Sequence, residues 1–207
     1  MNIATFTLGP FETNSYLAFC PETRKGVIID AAFEVSVLLV AVKHKGLEIV
    51  HVVSTHGHID HVCGTGLARE VTGATFLMHQ GDLEILLHPE RDFLLMLGLE
   101  DYVPVKPDGF LFEGQDIAFG NESLRVVHTP GHTPGGVCLL GKGLLFTGDT
   151  LFAGSVGRTD LSGGNQEELI RSIRGKILCL PDETVIQPGH GSATTIGEER
   201  RSNPFLG

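Results

Sequence analysis

The sequence predicts an α/β (α+β) fold in which two β-sheets pack together and helices cover both outer faces. Short apolar segments with strand character alternate with helical patterns through both halves of the chain. The 27 glycines among 207 residues indicate many tight turns, as a strand-rich fold requires. Because no linker or low-complexity run divides the chain, we expect a single domain over residues 1–207.

The first half begins with three strands typical of an antiparallel meander and continues with alternating helices and strands. Its apolar segments are bounded by Gly, Pro or Asn, which is typical of strands. The predicted strands are Ile3–Thr7, Ser15–Phe19, Val27–Ile29, Glu48–Val53 and Ala74–Met78. The predicted helices are Glu34–Lys45, a helix from Asp60 through Val71 that stops at Gly73, and Asp82–Leu87.

The second half repeats this plan after a less regular connection, Pro89–Pro107, which we expect to be partly helical and a candidate lid. The predicted strands are Ile117–Phe119, Leu124–His128, Gly136–Leu140, Leu144–Thr147 and Thr184–Gln187. Apolar residues recur at helical spacing in Gln166–Cys179, which predicts an amphipathic helix.

The charge balance argues against a nucleic-acid partner. The formal net charge is -10 at pH 7, whereas proteins that bind phosphate backbones present a concentrated basic surface. The segment Met1–Pro10 has no basic region followed by a long apolar run, and no other segment reads as a membrane span. We therefore expect a cytoplasmic protein that binds neither nucleic acid nor membrane.

Four residues able to bind a divalent cation lie in the segment Thr55-His56-Gly57-His58-Ile59-Asp60-His61. The segment follows a predicted strand, so the turn can direct His56 and His58 at one ion and Asp60 and His61 at a second. A lone histidine is more often a core or surface residue than a ligand, but four such groups together favour a metal site. Imidazole nitrogen and carboxylate oxygen suit zinc, iron or manganese.

Three further blocks carry potential ligands, and they read His128-Thr129-Pro130-Gly131-His132-Thr133-Pro134-Gly135, Phe146-Thr147-Gly148-Asp149-Thr150 and Gln187-Pro188-Gly189-His190-Gly191. The four blocks resemble, in the same order, the metal-binding motifs of the metallo-β-lactamase superfamily. The flanks Gly9–Asn14 and Asn203–Leu206 are similar to the glyoxalase II (hydroxyacylglutathione hydrolase) branch. This resemblance implies a four-layer αββα sandwich with the metal site at the edge of the two sheets.

The resemblance also implies a site for two metal ions. One ion would be held by His56, His58 and His132, the other by Asp60, His61 and His190, and Asp149 would bridge them. The implied nucleophile is a hydroxide shared by the ions, which forms near neutral pH because zinc lowers the pKa of bound water to about 7. Asp60 would be a catalytic residue that orients the attacking oxygen. The expected cofactors are two divalent ions, with zinc ahead of iron and manganese.

Two more residues are candidates around this site. Asp30 closes the strand Gly26–Ile29, where relatives carry an aspartate that supports the histidine-rich loop; the alternative is an aspartate in an exposed turn. Arg158 lies in a glyoxalase II-like segment and is the candidate for binding an anionic substrate. The alternative for Arg158 is an internal ion pair with Asp160 or another carboxylate.

The resemblance predicts hydrolysis of a small acyl ester, and a thioester of the hydroxyacylglutathione type is the leading substrate. Only Gly191–Gly207 follow the last ligand, so the chain resembles a short form without the helical region that binds much of glutathione in longer glyoxalase II enzymes. Lactone hydrolysis is a neighbouring alternative.

Two alternatives lie outside hydrolysis. Persulfide dioxygenases keep this fold but bind one iron through two histidines and a carboxylate, which here would be His56, His132 and Asp149. The other alternative is a non-catalytic metal-binding module. The complete ligand set favours the hydrolase, while the identity of the metal, the thiol carrier and the oligomeric state stay open.

Overall fold

The computed structural model describes residues 1–207, and two six-stranded sheets form its centre. The first sheet contains, in order, β1 (Asn2–Leu8), β2 (Thr13–Phe19), β3 (Lys25–Ile29), β4 (Glu48–Val53), β5 (Thr75–His79) and β6 (Gly109–Leu111). Its first three strands are antiparallel, as the meander predicts, and β3 to β6 are parallel neighbours.

The second sheet is built from the second half of the chain. Its strands are β7 (Asp116–Phe119), β8 (Glu122–His128), β9 (Val137–Leu140), β10 (Leu144–Gly148), β13 (Val185–Pro188) and β14 (Thr194–Thr195), in the order β14-β13-β10-β9-β8-β7. A short separate hairpin of β11 (Leu151–Phe152) and β12 (Ser155–Val156) follows β10.

Seven α-helices accompany the sheets. They are α1 (Ser36–Lys45), α2 (Ile59–Val62), α3 (Thr65–Thr72), α4 (Leu83–Leu87), α5 (Arg91–Leu97), α6 (Gln166–Ser172) and α7 (Ile196–Ser202). Parallel strands need crossover connections, and α1 and α3 provide them between β3, β4 and β5. None of the helices combines the length and the apolar surface required to cross a bilayer.

Alternation of side chains along the central strands explains why the sheets are covered on both faces. In β3, Val27 and Ile29 pack between the two sheets, whereas Ile28 packs towards α1. In β4, Val53 faces the second sheet and Val52 faces the helices. These strands are therefore apolar on both faces, as buried parallel strands are.

Three apolar clusters separate four layers. One lies between the sheets, one lies between the first sheet and α1, α3 and α5, and the third lies between the second sheet and α6 and α7. The third cluster places Leu169, Ile173 and Ile196 against Leu145 and Ile186. The predicted four-layer αββα sandwich is confirmed.

Two predicted helices are not continuous α-helices in the structure, whereas the others differ from their predicted bounds by at most two residues. The helix expected from Asp60 to Val71 is divided into α2 and α3, because Gly64 packs against Ala32 and its amide donates a hydrogen bond to the Ala31 carbonyl at 2.8 Å. The helix expected over Gln166–Cys179 ends with a π turn at Ile173–Ile177.

Sequence analysis also missed β6, the hairpin of β11 and β12, β14 and α7. Strands β11, β12 and β14 have two residues each and β6 has three, so their alternation of apolar and polar residues is too short to recognise. Helix α7 had a readable signal, because Thr195 accepts a hydrogen bond from the Glu198 amide at 3.2 Å, as in a capping box.

Candidate metal centre

The seven candidate ligands come from four loops that meet at one edge of the sandwich. The loop after β4 carries His56, His58, Asp60 and His61, and the loop between β8 and β9 carries His132. Asp149 directly follows β10, and His190 follows β13. The structure brings all seven side chains together, in overlapping groups whose potential ligand atoms lie within 4.8 Å of one another.

The first group consists of His56, His58 and His132. The Nε2 atom of His132 lies 3.0 Å from Nδ1 of His58, although the two residues are 74 positions apart in the sequence. The ring of His56 lies beside both, with centroid distances of 4.8 Å to His58 and 4.9 Å to His132. The three imidazole nitrogens are therefore close enough together to coordinate a single ion.

The second group consists of Asp60, His61 and His190. The Nε2 atoms of His61 and His190 are 3.2 Å apart. Asp60 Oδ2 lies 3.2 Å from His190 Nε2 and 3.4 Å from His61 Nε2. This second group combines two nitrogen donors with a carboxylate oxygen.

Asp149 lies between the two groups. Its Oδ2 atom is 3.7 Å from His132 Nε2 in the first group and 3.6 Å from His190 Nε2 in the second. Its Oδ1 atom is 3.4 Å from His61 Nε2. The carboxylate is therefore placed where it could contact an ion in either group.

Hydrogen bonds on the far side of four imidazoles orient the rings. The Nδ1 atom of His61 donates a hydrogen bond to Asp30 Oδ2 at 3.0 Å. The Nδ1 atoms of His132 and His190 donate to backbone carbonyls, those of Arg158 at 2.7 Å and Phe11 at 2.9 Å respectively. The Nδ1 atom of His56 contacts Thr55 Oγ1 at 3.1 Å. Because Nδ1 of His61, His132 and His190 faces an acceptor, a neutral ring at each position keeps its proton on Nδ1 and presents the Nε2 lone pair to the cluster.

The donor set fits bound cations. Two facing nitrogen atoms at 3.0 or 3.2 Å have to share a proton or surround a cation, because their lone pairs repel. His56 Nε2 and Asp149 Oδ1 are buried and have no hydrogen-bond partner, although buried polar atoms are nearly always paired. Divalent ions bound to these nitrogen and oxygen donors would satisfy them.

The electrostatics of the cluster also favour positive charge. Burial and the neighbouring His61 lower the pKa of His56, so its ring is neutral. Burial opposes ionisation of Asp149, but the neighbouring His61, His56 and His190 together outweigh it and hold the pKa of this carboxyl well below its usual range. The pKa of His61 is raised despite burial, because Asp60, Asp149 and Asp30 attract a proton there, and a metal ion would compete with that proton.

Asp30 is buried behind the histidine-rich loop. Its Oδ1 atom accepts a hydrogen bond from the Thr55 amide at 2.7 Å, and its Oδ2 atom accepts one from the Thr55 hydroxyl at 2.8 Å as well as the one from His61. Its backbone is in the left-handed region, with φ at 55°. The position agrees with the supporting role expected for Asp30 and not with an exposed turn.

Arg158 forms the internal pair that sequence analysis left open. Its Nε and Nη2 atoms each donate to a carboxylate oxygen of Asp160 at 2.7 Å. The Arg158 side chain, 55% exposed, also lines the cleft above the cluster. A contact between Arg158 and a substrate therefore stays a prediction.

A cleft of about 250 Å³ opens onto the candidate ligands. Its apolar wall contains Phe11 from the turn between β1 and β2, Phe93 from α5, and Leu161. The rings of Phe11 and Phe93 meet edge to face at 6.0 Å. The connection Pro89–Pro107 is partly helical, as predicted, and through Phe93 it borders the cleft; its mobility stays a prediction.

Sequence analysis missed the residues that hold the second group in place. Asn14 donates from Nδ2 to the carbonyls of Pro188 and Gly191, which flank His190, at 3.0 and 2.9 Å. Thr13 donates to Asp60 Oδ2 at 3.1 Å. Both residues lie in the segment Gly9–Asn14, whose similarity to the glyoxalase II branch could have indicated a role near the metal site. Asp82, which is buried beside the first group, had no such signal.

We expect Asn14→Asp to weaken metal binding by the second group. A carboxylate there would face two carbonyl oxygens where the amide now donates, and would loosen the His190 loop. Loss of an outer partner of this kind typically costs about 10–100-fold in metal affinity or activity. Competition with a chelator measures the affinity. Thr7→Val is the control, because it removes a 2.9 Å hydrogen bond to Asn14 Oδ1 but leaves the donating amide intact. Equal losses in the two variants would contradict the role given to Asn14.

Comparison with known proteins relates the whole chain to one family. The model of the metallo-beta-lactamase superfamily matches residues 8–190. Hydroxyacylglutathione hydrolase GloC of Haemophilus influenzae is 36% identical and is aligned over 100% of this chain and 98% of its own length. The mitochondrial persulfide dioxygenase ETHE1 of Bos taurus is 32% identical over 94% of this chain and 71% of its own length.

Solved structures agree with these relatives. The BLEG-1 B3 metallo-beta-lactamase superposes with a TM-score of 0.91 at 34% identity, covering 99% of each chain. TTHA1623, solved in a di-iron-bound form, gives a TM-score of 0.86 at 37% identity over 98% of this chain and 100% of its own. The predicted family is confirmed, and the protein belongs to the metallo-beta-lactamase superfamily.

Proposed function

We propose that this protein is a metal-dependent hydrolase that cleaves a small acyl thioester of the hydroxyacylglutathione type with two divalent cations. The observation that carries the proposal is the pair of donor groups, each complete, with Asp149 between them. The similarity to GloC over the full length of both chains supports this substrate class.

In this proposal His56, His58 and His132 would hold one ion and Asp60, His61 and His190 the other. Asp149 would contact both. Two bound divalent ions would supply Lewis-acid polarisation of a carbonyl group and ionisation of water near neutral pH. Zinc is the leading candidate, and iron or manganese would fit the same donors.

The remaining residues of the cleft would position the substrate. The hydroxyl of Thr13 donates a hydrogen bond to Oδ2 of Asp60 and would thereby help orient this carboxylate to accept a hydrogen bond from the attacking water. Phe11, Phe93 and Leu161 form an apolar wall against which an acyl chain can pack. Arg158 would contact an anionic group of the thiol carrier at the exposed end of the cleft.

The second candidate is a mononuclear iron persulfide dioxygenase, which the similarity to ETHE1 favours. It would use His56, His132 and Asp149 as iron ligands and would leave Asp60, His61 and His190 without a metal. Metal analysis of the purified protein, combined with thioester hydrolysis and oxygen-uptake assays, distinguishes the two. We expect two metals and hydrolysis; one iron with persulfide-dependent oxygen uptake would select the dioxygenase.

We expect His190→Ala to lower the metal content from two ions to one and to reduce hydrolysis, without unfolding the protein. His190 is a loop residue outside the apolar clusters, so its loss removes a coordinating nitrogen more than core packing. Metal analysis after dialysis and circular dichroism measure the two effects. His44→Ala, at an exposed position of α1, is the control and should keep both metals. Wild-type protein that is active and saturates at one metal per chain would contradict the two-metal assignment.

A further inference from the structure

The buried carboxylate of Asp82 lies between two ligand-bearing loops. Asp82 is fully buried between β5 and α4. An aspartate at the start of a helix commonly caps it, but this side chain makes no capping hydrogen bond to α4. Its oxygens are instead directed away from its own helix, towards the loops that carry the first group of ligands.

Three donors from these loops converge on the carboxylate. Oδ2 accepts hydrogen bonds from the Gly57 amide at 2.9 Å and from the Thr133 hydroxyl at 2.7 Å, and Oδ1 accepts one from the Gly135 amide at 2.5 Å. Gly57 stands between His56 and His58, and Thr133 follows His132. The three bonds therefore connect the loops that supply the three histidines of the first group.

Close backbone contact is built into this arrangement. A Cβ atom on Gly135 would lie 2.5 Å from the Asp82 amide nitrogen and 2.7 Å from its Cγ, and one on Gly57 would lie 2.9 Å from the Asp82 carbonyl oxygen. Any side chain at either position would move a ligand loop away from the carboxylate. The glycines of both metal motifs thus allow Asp82 to sit between the loops.

A buried carboxylate is costly unless it is fully hydrogen-bonded, and bonds to an ionised acceptor are stronger than neutral ones. Asp82 forms no salt bridge, so the hydrogen bonds from the loops are the main compensation for its burial. Displacement of one loop would remove at least one of these hydrogen bonds and leave the buried carboxylate without a full set of donors. The energy of the bonds therefore resists changes in the spacing between His132 and His58, whose facing nitrogens are 3.0 Å apart.

We infer that Asp82 is a positioning residue that presets the spacing of His56, His58 and His132 for one metal ion by joining their two loops. The inference rests on the proposed function only in treating these histidines as metal ligands. The second group is held by other residues, namely Asp30, Thr13 and Asn14. Loss of the Asp82 carboxylate should therefore weaken one metal site much more than the other.

The test measures Co²⁺ affinity of the full-length protein by competition with a chelator. His190→Ala leaves the first group complete, and His132→Ala leaves the second group complete. Asp82→Asn keeps the size of the side chain but replaces one acceptor with a donor that faces a loop donor. We expect Asp82→Asn to lower Co²⁺ affinity by about 10–100-fold in the His190→Ala background. In the His132→Ala background the change should stay within about a factor of two.

Glu199→Gln is the matched control. Glu199 is also buried and also accepts three hydrogen bonds, from Gly154, Thr194 and Asn203, but it does not touch the loops of the first group. Glu199→Gln should leave Co²⁺ affinity unchanged in both backgrounds. If Asp82→Asn does not fold, Thr133→Val removes one donor and should lower affinity in the same background, by a smaller factor.

Equal losses of Co²⁺ affinity in both backgrounds would overturn the inference, as would a loss in Glu199→Gln as large as that in Asp82→Asn. Failure of both backgrounds to bind Co²⁺ would overturn the ligand assignment together with the inference. If Asp82→Asn lowers Co²⁺ affinity only in the His190→Ala background but the wild-type protein hydrolyses no thioester, the proposed function is rejected and the inference stands. If the wild-type protein hydrolyses a thioester but Asp82→Asn causes no such selective loss, the proposed function stands and the inference is rejected.

Discussion

Phe146→Ala is expected to destabilise the protein by about 3–5 kcal/mol, the usual cost of removing a buried aromatic ring. Phe146 lies in β10 with no exposed surface, and it packs between the two sheets. Its ring meets that of Tyr16, from the first sheet, edge to face at 5.0 Å. The cavity would therefore open where the two sheets hold each other. Because the total free energy of unfolding of a domain is only about 5–15 kcal/mol, denaturant titration should show a large shift.

Phe112→Ala is the control for this change, because the same ring is removed from a side chain that is 62% exposed. Its effect should stay within about 0.5 kcal/mol. Both titrations should be made with and without metal, since bound ions add to the apparent stability. A loss below about 1 kcal/mol for Phe146→Ala would show that the Phe146 ring does not hold the two sheets together. A single transition for the wild-type chain would support our proposal that residues 1–207 fold as one domain.

Much of the fold could be predicted because the strands carry local patterns. The segments around β3 and β4 are apolar on both faces, and glycines or polar residues mark their ends. What local pattern cannot provide is pairing between distant strands, such as the parallel contact of β10 with β13. The break between α2 and α3 was missed for the same reason, because it depends on the contact of Gly64 with Ala31 and Ala32.

The candidate ligands could be predicted because their side chains stand in short, chemically distinctive blocks. The residues that support them are single positions in ordinary segments. Asp82 reads in the sequence as a helix start, and its role depends on Thr133 and Gly135, which only the folded chain brings to it. Asn14 likewise acts on carbonyl groups more than 170 residues further along the chain. Such contacts carry no local signature.

Asp149→Asn is expected to be the most damaging replacement of a carboxylate in this protein. Asparagine keeps the shape of the side chain and one carbonyl oxygen, so steric effects should be small. It removes, however, the negative charge that lies between the two donor groups, 3.7 Å from His132 Nε2 and 3.6 Å from His190 Nε2. Because both ions would lose an anionic oxygen, metal content and hydrolytic rate should fall together, by more than the roughly 10–100-fold typical of an outer partner.

Asp30→Asn provides the comparison, because it makes the same chemical change at a residue that contacts a candidate ligand, His61, but is not itself a candidate ligand. Asp30 contacts His61 and Thr55 and does not lie between the two donor groups. Its replacement should therefore lower metal affinity or activity by only about 10–100-fold. Metal content and thioester hydrolysis should be measured for both variants at one pH, so that the protonation of the histidines is the same. If Asp149→Asn kept two metals and a rate near that of the wild type, the position of the side chain and not its charge would be what the site requires. The bridging role would then be wrong.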